Sequence, residues 1–153
     1  MKRLYRWIIG LHIFIGTGAS AGGIAAVTDP ESPLGMPVEM LKSSPFENYM
    51  IPGLFLLIIL GFGNIAVSIL TIKKTSYHGA ASGIMGVILI LWILIQCYFL
   101  QAVGGLHILF FCLGIIQGLL AFVILYRMDK FPVNLLKKMI RIKPLSDDKK
   151  VKG

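Results

Sequence analysis

Long apolar stretches without a formal charge constrain this chain more than any other feature of its sequence. Four occur, at about residues 7–27, 51–72, 79–100 and 106–126, and none contains Asp, Glu, Lys or Arg. A bilayer core about 30 Å thick is crossed by a helix of about 20 apolar residues, so each stretch is long enough to span a membrane. With 56% hydrophobic and 14% charged residues, the chain is also more apolar and less charged than a soluble domain.

Short connections between these stretches leave no room for a soluble domain. We therefore predict an all-α fold, a four-transmembrane-helix bundle with up-down-up-down topology. Residues 1–128 would form this membrane domain, with an external loop at residues 28–50. Residues 129–153 would form a separate tail.

Basic residues on alternate connections determine the predicted orientation, because Lys and Arg are retained on the cytoplasmic side of a membrane protein. Of the 15 Lys and Arg residues, all but Lys42 lie before the first stretch, between the second and third, or after the fourth. The first loop instead carries Asp29, Glu31, Glu39 and Glu47. We predict a multi-pass protein of the cell membrane with both termini in the cytoplasm and this loop outside. The net charge of +8 is then explained by topology. Nucleic-acid binding is disfavoured, because it uses a basic folded surface with interleaved aromatic residues, and the sequence indicates no such surface.

The first apolar stretch also has features of a secretory signal, with a basic start and small residues at Ala19, Ser20 and Ala21. Because its apolar character continues to Val27, we expect it to remain as a transmembrane helix. Cleavage would leave three helices without changing the orientation of the others.

The first loop contains several turn signals, among them Asp29-Pro30, Ser32-Pro33 and Ser44-Pro45. Its prolines restrict the backbone, so we predict that it folds as a lid over the outer ends of the helices. The alternative is a flexible linker.

Part of the sequence resembles a known group of proteins. The residues that carry this resemblance are Asp29-Pro30, Ser44-Pro45-Phe46, Tyr49, Pro52-Gly53-Leu54 and Gly61-Phe62-Gly63-Asn64. They are similar to a widespread group of uncharacterised small bacterial four-helix integral membrane proteins, and the similarity covers roughly the first half of the chain. The resemblance implies a compact four-helix unit in the cytoplasmic membrane and no activity. Glu31-Ser32 stands where the group has a glycine, so this turn is expected to differ.

The tail has the pattern of a basic amphipathic helix over about residues 131–143. Its apolar residues share one face at helical spacing, whereas Lys137, Lys138 and Arg141 share the other. We predict that this helix lies on the inner membrane surface among anionic lipid headgroups. Docking on a cytoplasmic partner is the alternative, and the residues after Pro144 are expected to be disordered.

Small residues and cysteines give two weaker signals. Glycines recur at four-residue spacing in the pairs Gly18–Gly22, Gly79–Gly83 and Gly114–Gly118, which lets helix backbones approach closely. We assign them to internal packing first and to a homodimer contact second. Cys97 and Cys112 lack a CxxC spacing and are interpreted as small apolar residues rather than redox groups. Each is expected one to two turns below the outer surface, so a disulfide between them is the alternative.

Five polar residues inside the predicted spans are expected at similar depths in the membrane. They are His12, Asn64, Ser68, Ser82 and Gln117. We predict that they point inward as a polar cluster. One interpretation is a pocket for a lipid or quinone headgroup. The other, which we favour, is a set of interhelical hydrogen bonds that specify packing, worth about 1 kcal/mol each.

A second group lies near the outer ends of the helices. Gln96 and His107, with Asp29 and Glu47 of the loop above them, would line an outward-facing recess. These residues lack the spacing of metal ligands, so neither a metal nor a cofactor is predicted.

The sequence favours a binding role over catalysis, because no catalytic motif occurs at a defensible spacing. Our first hypothesis is a non-enzymatic accessory or binding subunit of the cell envelope, with a membrane-protein partner. Our second is a small transporter or a lipid- or quinone-binding protein that uses the interior polar residues, with a homodimer as one form. Small multidrug exporters are of similar size, but they need a carboxylate in the first helix, and this one has none.

Overall fold

The structure is a computed structural model that describes residues 2–128. It contains four helices long and apolar enough to cross a membrane, which confirms the prediction of four spans. They are α1 (Lys2–Thr28), α2 (Met50–Ile72), α3 (His78–Leu100) and α4 (Gly105–Met128). Residues 2–128 contain no β-strand. The amphipathic helix predicted in the tail lies outside the described residues.

Consecutive helices run antiparallel. Gly23, near the end of α1, faces Gly53, near the start of α2. Between α3 and α4, Gly86 packs against the backbone of Gly114 and Gly118. Phe55 of α2 stacks on Trp92 of α3 with ring centroids 4.3 Å apart. Ile8 of α1 packs with Ala121 and Ile124 of α4, which closes the bundle.

The α1–α2 contact is too close for side chains at its glycines. A Cβ atom on Gly23 would lie 2.6 Å from the backbone nitrogen of Leu57, and one on Gly53 would lie 2.6 Å from the Cβ of Ala26. Neither a backbone atom nor the Cβ of alanine, which is fixed to its backbone, can move aside as a long side chain can, so only glycine permits this approach. These glycines differ from the four-spaced pairs in the sequence, but they serve the same internal packing.

The middle of α2 is a π-helical segment at Leu56–Phe62. There the N–H of Gly63 reaches the carbonyl oxygen of Ile58, five residues earlier. A π segment inserts one extra residue into the helix and so rotates everything after it relative to an uninterrupted α-helix. Asn64, two residues beyond this segment, is thereby fully buried in the bundle.

The two ends of the bundle carry opposite charge. We call the end with the long loop, residues 29–49, the acidic end, because the loop holds four of the acidic residues and only Lys42 among basic ones. We call the other the basic end. Its basic residues are Lys2, Arg3, Arg6, Lys73, Lys74 and Arg127.

The long loop is anchored at its last residue. The N–H of Tyr49 donates to the carbonyl of Pro30 at 2.9 Å, and its phenol O–H donates to the carbonyl of Pro37 at 3.2 Å. Tyr49 also packs with Ala26 and Leu41 in a small apolar cluster. Two short 3-10 turns, Pro33–Gly35 and Val38–Leu41, shape the rest of the loop.

Large apolar side chains cover the outside of all four helices. Examples, one from each helix, are Ile13, Ile58, Leu91 and Leu119. Their exposed fractions lie between 43% and 60%. A water-soluble surface rarely presents apolar residues on every side. A multi-pass membrane protein presents them to lipid, in agreement with the four spans.

Candidate functional site

One polar side chain from each helix meets at the centre of the bundle. These residues are His12 of α1, Asn64 of α2, Ser82 of α3 and Gln117 of α4, and all four have 0% exposure. We call this group the polar node. Nδ1 of His12 lies 2.7 Å from Oδ1 of Asn64, and Nε2 of His12 lies 2.8 Å from Oγ of Ser82. The imidazole thus bridges three helices.

Hydrogen bonding determines the protonation of His12. The Asn64 amide donates through Nδ2 to the carbonyl of Leu60 at 2.8 Å, which turns Oδ1 of Asn64 toward His12. Since Oδ1 only accepts, the imidazole must carry its proton on Nδ1 and donate it there. Nε2 is then an acceptor for the hydroxyl of Ser82, so a neutral imidazole satisfies both neighbours.

Gln117 completes the node but is only half satisfied. Its Nε2 donates to Oδ1 of Asn64 at 3.0 Å. The same nitrogen lies 3.2 Å from Nδ1 of His12. Because Nδ1 carries the imidazole proton, both atoms are donors, and no hydrogen bond forms between them. The Oε1 atom of Gln117 is buried and has no hydrogen-bond partner within residues 2–128. The node therefore retains one unused acceptor.

The fifth residue of the predicted cluster, Ser68, does not join it. Its hydroxyl donates at 2.7 Å to the carbonyl of Ile65 in its own helix. A serine in a helix can satisfy itself in this way, so its depth in the membrane says little about its partners.

A buried histidine at the basic end was missed by the sequence reasoning. His78, the first residue of α3, is 1% exposed. Its Nδ1 bonds the carbonyl of Thr75, and its Nε2 lies 3.2 Å from the hydroxyl of Tyr5 of α1. The sequence shows aromatic residues near both partners of this contact, but such a signal is not specific enough to pair His78 with Tyr5.

A cavity of about 200 Å³ lies at the acidic end, beneath the long loop. All four helices and the loop line it, for example through Gly22, Leu34, Leu56, Trp92 and Phe110. Most of its wall is apolar, and none of its lining residues is Asp, Glu, Lys or Arg. None of the four residues of the polar node lines it. We call it the loop cavity.

The predicted outer recess is formed only in part. Gln96 and His107 line the loop cavity, whereas Asp29 and Glu47 do not. The Asp29 carboxylate turns back and accepts from the N–H of Ser32 at 3.2 Å, which stabilises the turn after α1. Glu47 is exposed to solvent. His107 accepts through Nδ1 from the N–H of Gly104 at 3.1 Å.

Trp92 brings an unused donor to the wall of the loop cavity. Its side chain is 7% exposed, and its Nε1 has no hydrogen-bond partner among the described residues. A buried indole N–H usually finds an acceptor. Leaving such a donor unpaired costs about 1–3 kcal/mol.

The described residues form neither a cluster of metal ligands nor a disulfide. Within residues 2–128, no three His, Cys, Asp or Glu side chains lie close enough to hold a metal ion. Cys97 and Cys112 are both free thiols.

Comparisons with protein-family models, with curated proteins and with solved structures give no match to this chain. The resemblance drawn from the sequence therefore stays a prediction. Several of its residues have structural roles here, since Pro30 and Tyr49 bond each other and Gly53 permits the close contact with α1.

Proposed function

We propose that this protein is a non-enzymatic binding protein of the cell membrane, and that the loop cavity holds the uncharged head and first carbons of a single-chain lipid. The observation that supports this most directly is the cavity itself, lined by all four helices and roofed by the long loop. The proposal places the basic end in the cytoplasm and the long loop outside, as a lid.

The size of the cavity limits what enters it. A cavity of about 150 Å³ lined by aliphatic and aromatic residues holds a benzene molecule. The loop cavity, at about 200 Å³, is therefore large enough for a small head and a few carbons, and too small for a whole lipid. The rest of the chain would remain in the bilayer.

We place the entry path for the lipid between α1 and α4. Gly18 and Leu106 both line the cavity and are both exposed on the outside of the bundle. Phe110 lies beside them, and its ring would come within 2.9 Å of a Cβ atom on Gly18. The absence of a side chain at Gly18 makes room for this ring, which we assign as the gate to the bilayer.

The polar groups of the cavity suit an uncharged head with a hydrogen-bond acceptor. The N–H of Trp92 has no acceptor in the part of the chain that the structure describes, and Gln96 offers both a donor and an acceptor. A charged head would meet no opposite charge, because no lining residue is Asp, Glu, Lys or Arg, and His107 is neutral when its Nδ1 accepts from the N–H of Gly104. A fatty alcohol or a similar neutral lipid fits these requirements.

Tryptophan fluorescence tests this proposal. The chain has two tryptophans, so Trp7→Phe leaves Trp92 as the only one. A fatty alcohol brominated near its hydroxyl should quench Trp92 saturably in detergent-solubilised protein. Leu56→Phe, which fills the cavity, should weaken this quenching at least tenfold. Leu54→Phe places the same ring on the exposed side of α2 and should change nothing. Non-saturating quenching that is equal in all three proteins would overturn the proposal.

A second candidate places the lipid or quinone head at the polar node, and the unpaired Oε1 of Gln117 favours it. In that case Gln117→Leu, and not Leu56→Phe, would abolish saturable quenching. Membership in a larger membrane complex is compatible with either site. Stoichiometric copurification of a second membrane protein would support it.

A further inference from the structure

We infer a second lipid site, at the basic end, which binds an anionic phospholipid of the leaflet that this end faces. The site is an open groove of about 760 Å³ between α1 and α4. Its residues are Arg3, Arg6, Trp7, Gly10, Leu11 and Phe14 of α1 with Leu113 of α4. We call it the basic groove. It is separate from the loop cavity and does not depend on the function proposed for that cavity.

Charge at the mouth of the groove selects the headgroup. Arg3 and Arg6 lie one helical turn apart on the same face of α1, and both are exposed. Neither has a carboxylate partner among residues 2–128. Arginine binds phosphate through two parallel N–H donors, and basic pockets between transmembrane helices bind anionic lipid headgroups. Two guanidinium groups at one mouth, without a carboxylate partner in the described part of the chain, therefore match a phosphodiester.

The length of the groove suits the headgroup and the first part of one acyl chain. Arg3 and Phe14 are 11 residues apart in a continuous helix, which corresponds to about 16 Å along its axis. The part from Trp7, where the apolar stretch begins, to Phe14 corresponds to about 10 Å, so the groove runs from the headgroup level about a third of the way into a bilayer core of about 30 Å. Trp7, with 74% exposure, lies near the headgroup end, where indole rings are favoured.

Gly10 gives the groove its depth. A Cβ atom at this position would meet no atom within 4 Å. A glycine in an open helix interior costs about 1 kcal/mol of helix stability relative to alanine. Close packing cannot account for it here, in contrast to Gly23. An acyl chain lying over Gly10 would occupy this space.

Native mass spectrometry of the full chain in detergent tests the inference, with dioleoyl phosphatidylglycerol as the probe. Wild-type protein should bind it in preference to dioleoyl phosphatidylcholine, and soluble glycerol phosphate should not compete, which distinguishes a lipid from a free phosphate. Gly10→Phe should abolish this preference, whereas Gly105→Phe, at another glycine with open space around it, should retain it. The double variant Arg3→Gln with Arg6→Gln should weaken binding about 25-fold, because each removed charge contributes a factor of about five.

The matched charge control is Lys73→Gln with Arg127→Gln, which removes the same charge from the basic end outside the groove. This double variant should bind within about twofold of wild type. If it loses as much affinity as Arg3→Gln with Arg6→Gln, the effect is general attraction and the groove is not a site. Unchanged binding by Gly10→Phe would overturn the inference equally. If Gly10→Phe fails to fold, the two charge variants decide alone.

Discussion

Nδ1 of His12 lies 2.7 Å from Oδ1 of Asn64, and this hydrogen bond joins α1 to α2 in the middle of the bundle. The same imidazole reaches Ser82 of α3, while Gln117 of α4 bonds Asn64. No residue of this group carries a formal charge in the tautomer assigned here. In a membrane interior, where water does not compete, such a group specifies which helix faces meet.

We expect His12→Ala to destabilise the bundle by about 1–3 kcal/mol, because it removes the buried partner of Ser82 and one of the two donors to Oδ1 of Asn64. Reversible unfolding in mixed detergent micelles measures this. Ser68→Ala is the matched control, since Ser68 bonds only the carbonyl of Ile65 in its own helix, and it should cost less than about 0.5 kcal/mol. Equal losses for the two variants would show that the node contributes nothing specific.

We expect Gly23→Leu to destabilise the α1–α2 contact by about 1–3 kcal/mol or to prevent folding, since a Cβ there would lie 2.6 Å from the Leu57 backbone. Gly10→Ala, on the same helix but next to open space, should leave stability unchanged or raise it by up to about 1 kcal/mol. The same unfolding assay compares the two. A tolerated leucine at position 23 would contradict the close approach of these helices.

The anchor of the long loop should be sensitive to alkaline pH. Burial, with a smaller effect from the nearby negative charge of Glu39, raises the pKa of Tyr49 above its usual value. The folded loop therefore favours the neutral phenol. Its contribution to stability is complete below the ordinary tyrosine pKa of about 10 and is lost as pH rises through the raised pKa.

Absorbance titration of phenolate measures this shift. The difference between wild type and Tyr49→Phe should titrate above pH 10, with the free model compound N-acetyltyrosinamide in the same detergent as the reference. A Tyr49 difference curve that coincides with the curve of this model compound would contradict the buried anchor.

Cysteine labelling tests the orientation. In a background with Cys97 and Cys112 replaced by alanine, Ser43→Cys in the long loop should react with a membrane-impermeant maleimide added to intact cells. Ser76→Cys, in the link between α2 and α3, should react only after the cells are opened. Both positions are exposed, so access depends on the side of the membrane alone. The reverse pattern would invert the assignment of the two ends.

The polar node illustrates how far the sequence could lead. Within a charge-free span, a buried polar side chain must find its partners inside the protein, so counting residues from the helix ends was enough to group His12, Asn64, Ser82 and Gln117. Ser68 lay at the same depth, but a serine can bond its own helix. Depth alone could not separate these cases.

Other features lay beyond sequence reasoning for physical reasons. The π segment at Leu56–Phe62 changes the phase of α2 and has no local sequence signal of its own. The path of the long loop depends on individual backbone angles, such as the left-handed conformation of Leu34 with φ of 53°. Asp29 and Glu47 therefore could not be placed relative to Gln96 and His107 from turn signals alone.

Photocrosslinking tests the central claim, that the loop cavity takes the head of a single-chain lipid, most directly. A fatty alcohol with a diazirine beside its hydroxyl would be added to membranes that contain the full chain, and the adducts mapped by peptide mass spectrometry. We expect adducts on residues that line the cavity, such as Leu56 and Trp92, and their loss in Leu56→Phe but not in Leu54→Phe. Adducts confined to lipid-facing residues such as Leu91 and Leu119, unchanged by Leu56→Phe, would contradict the account.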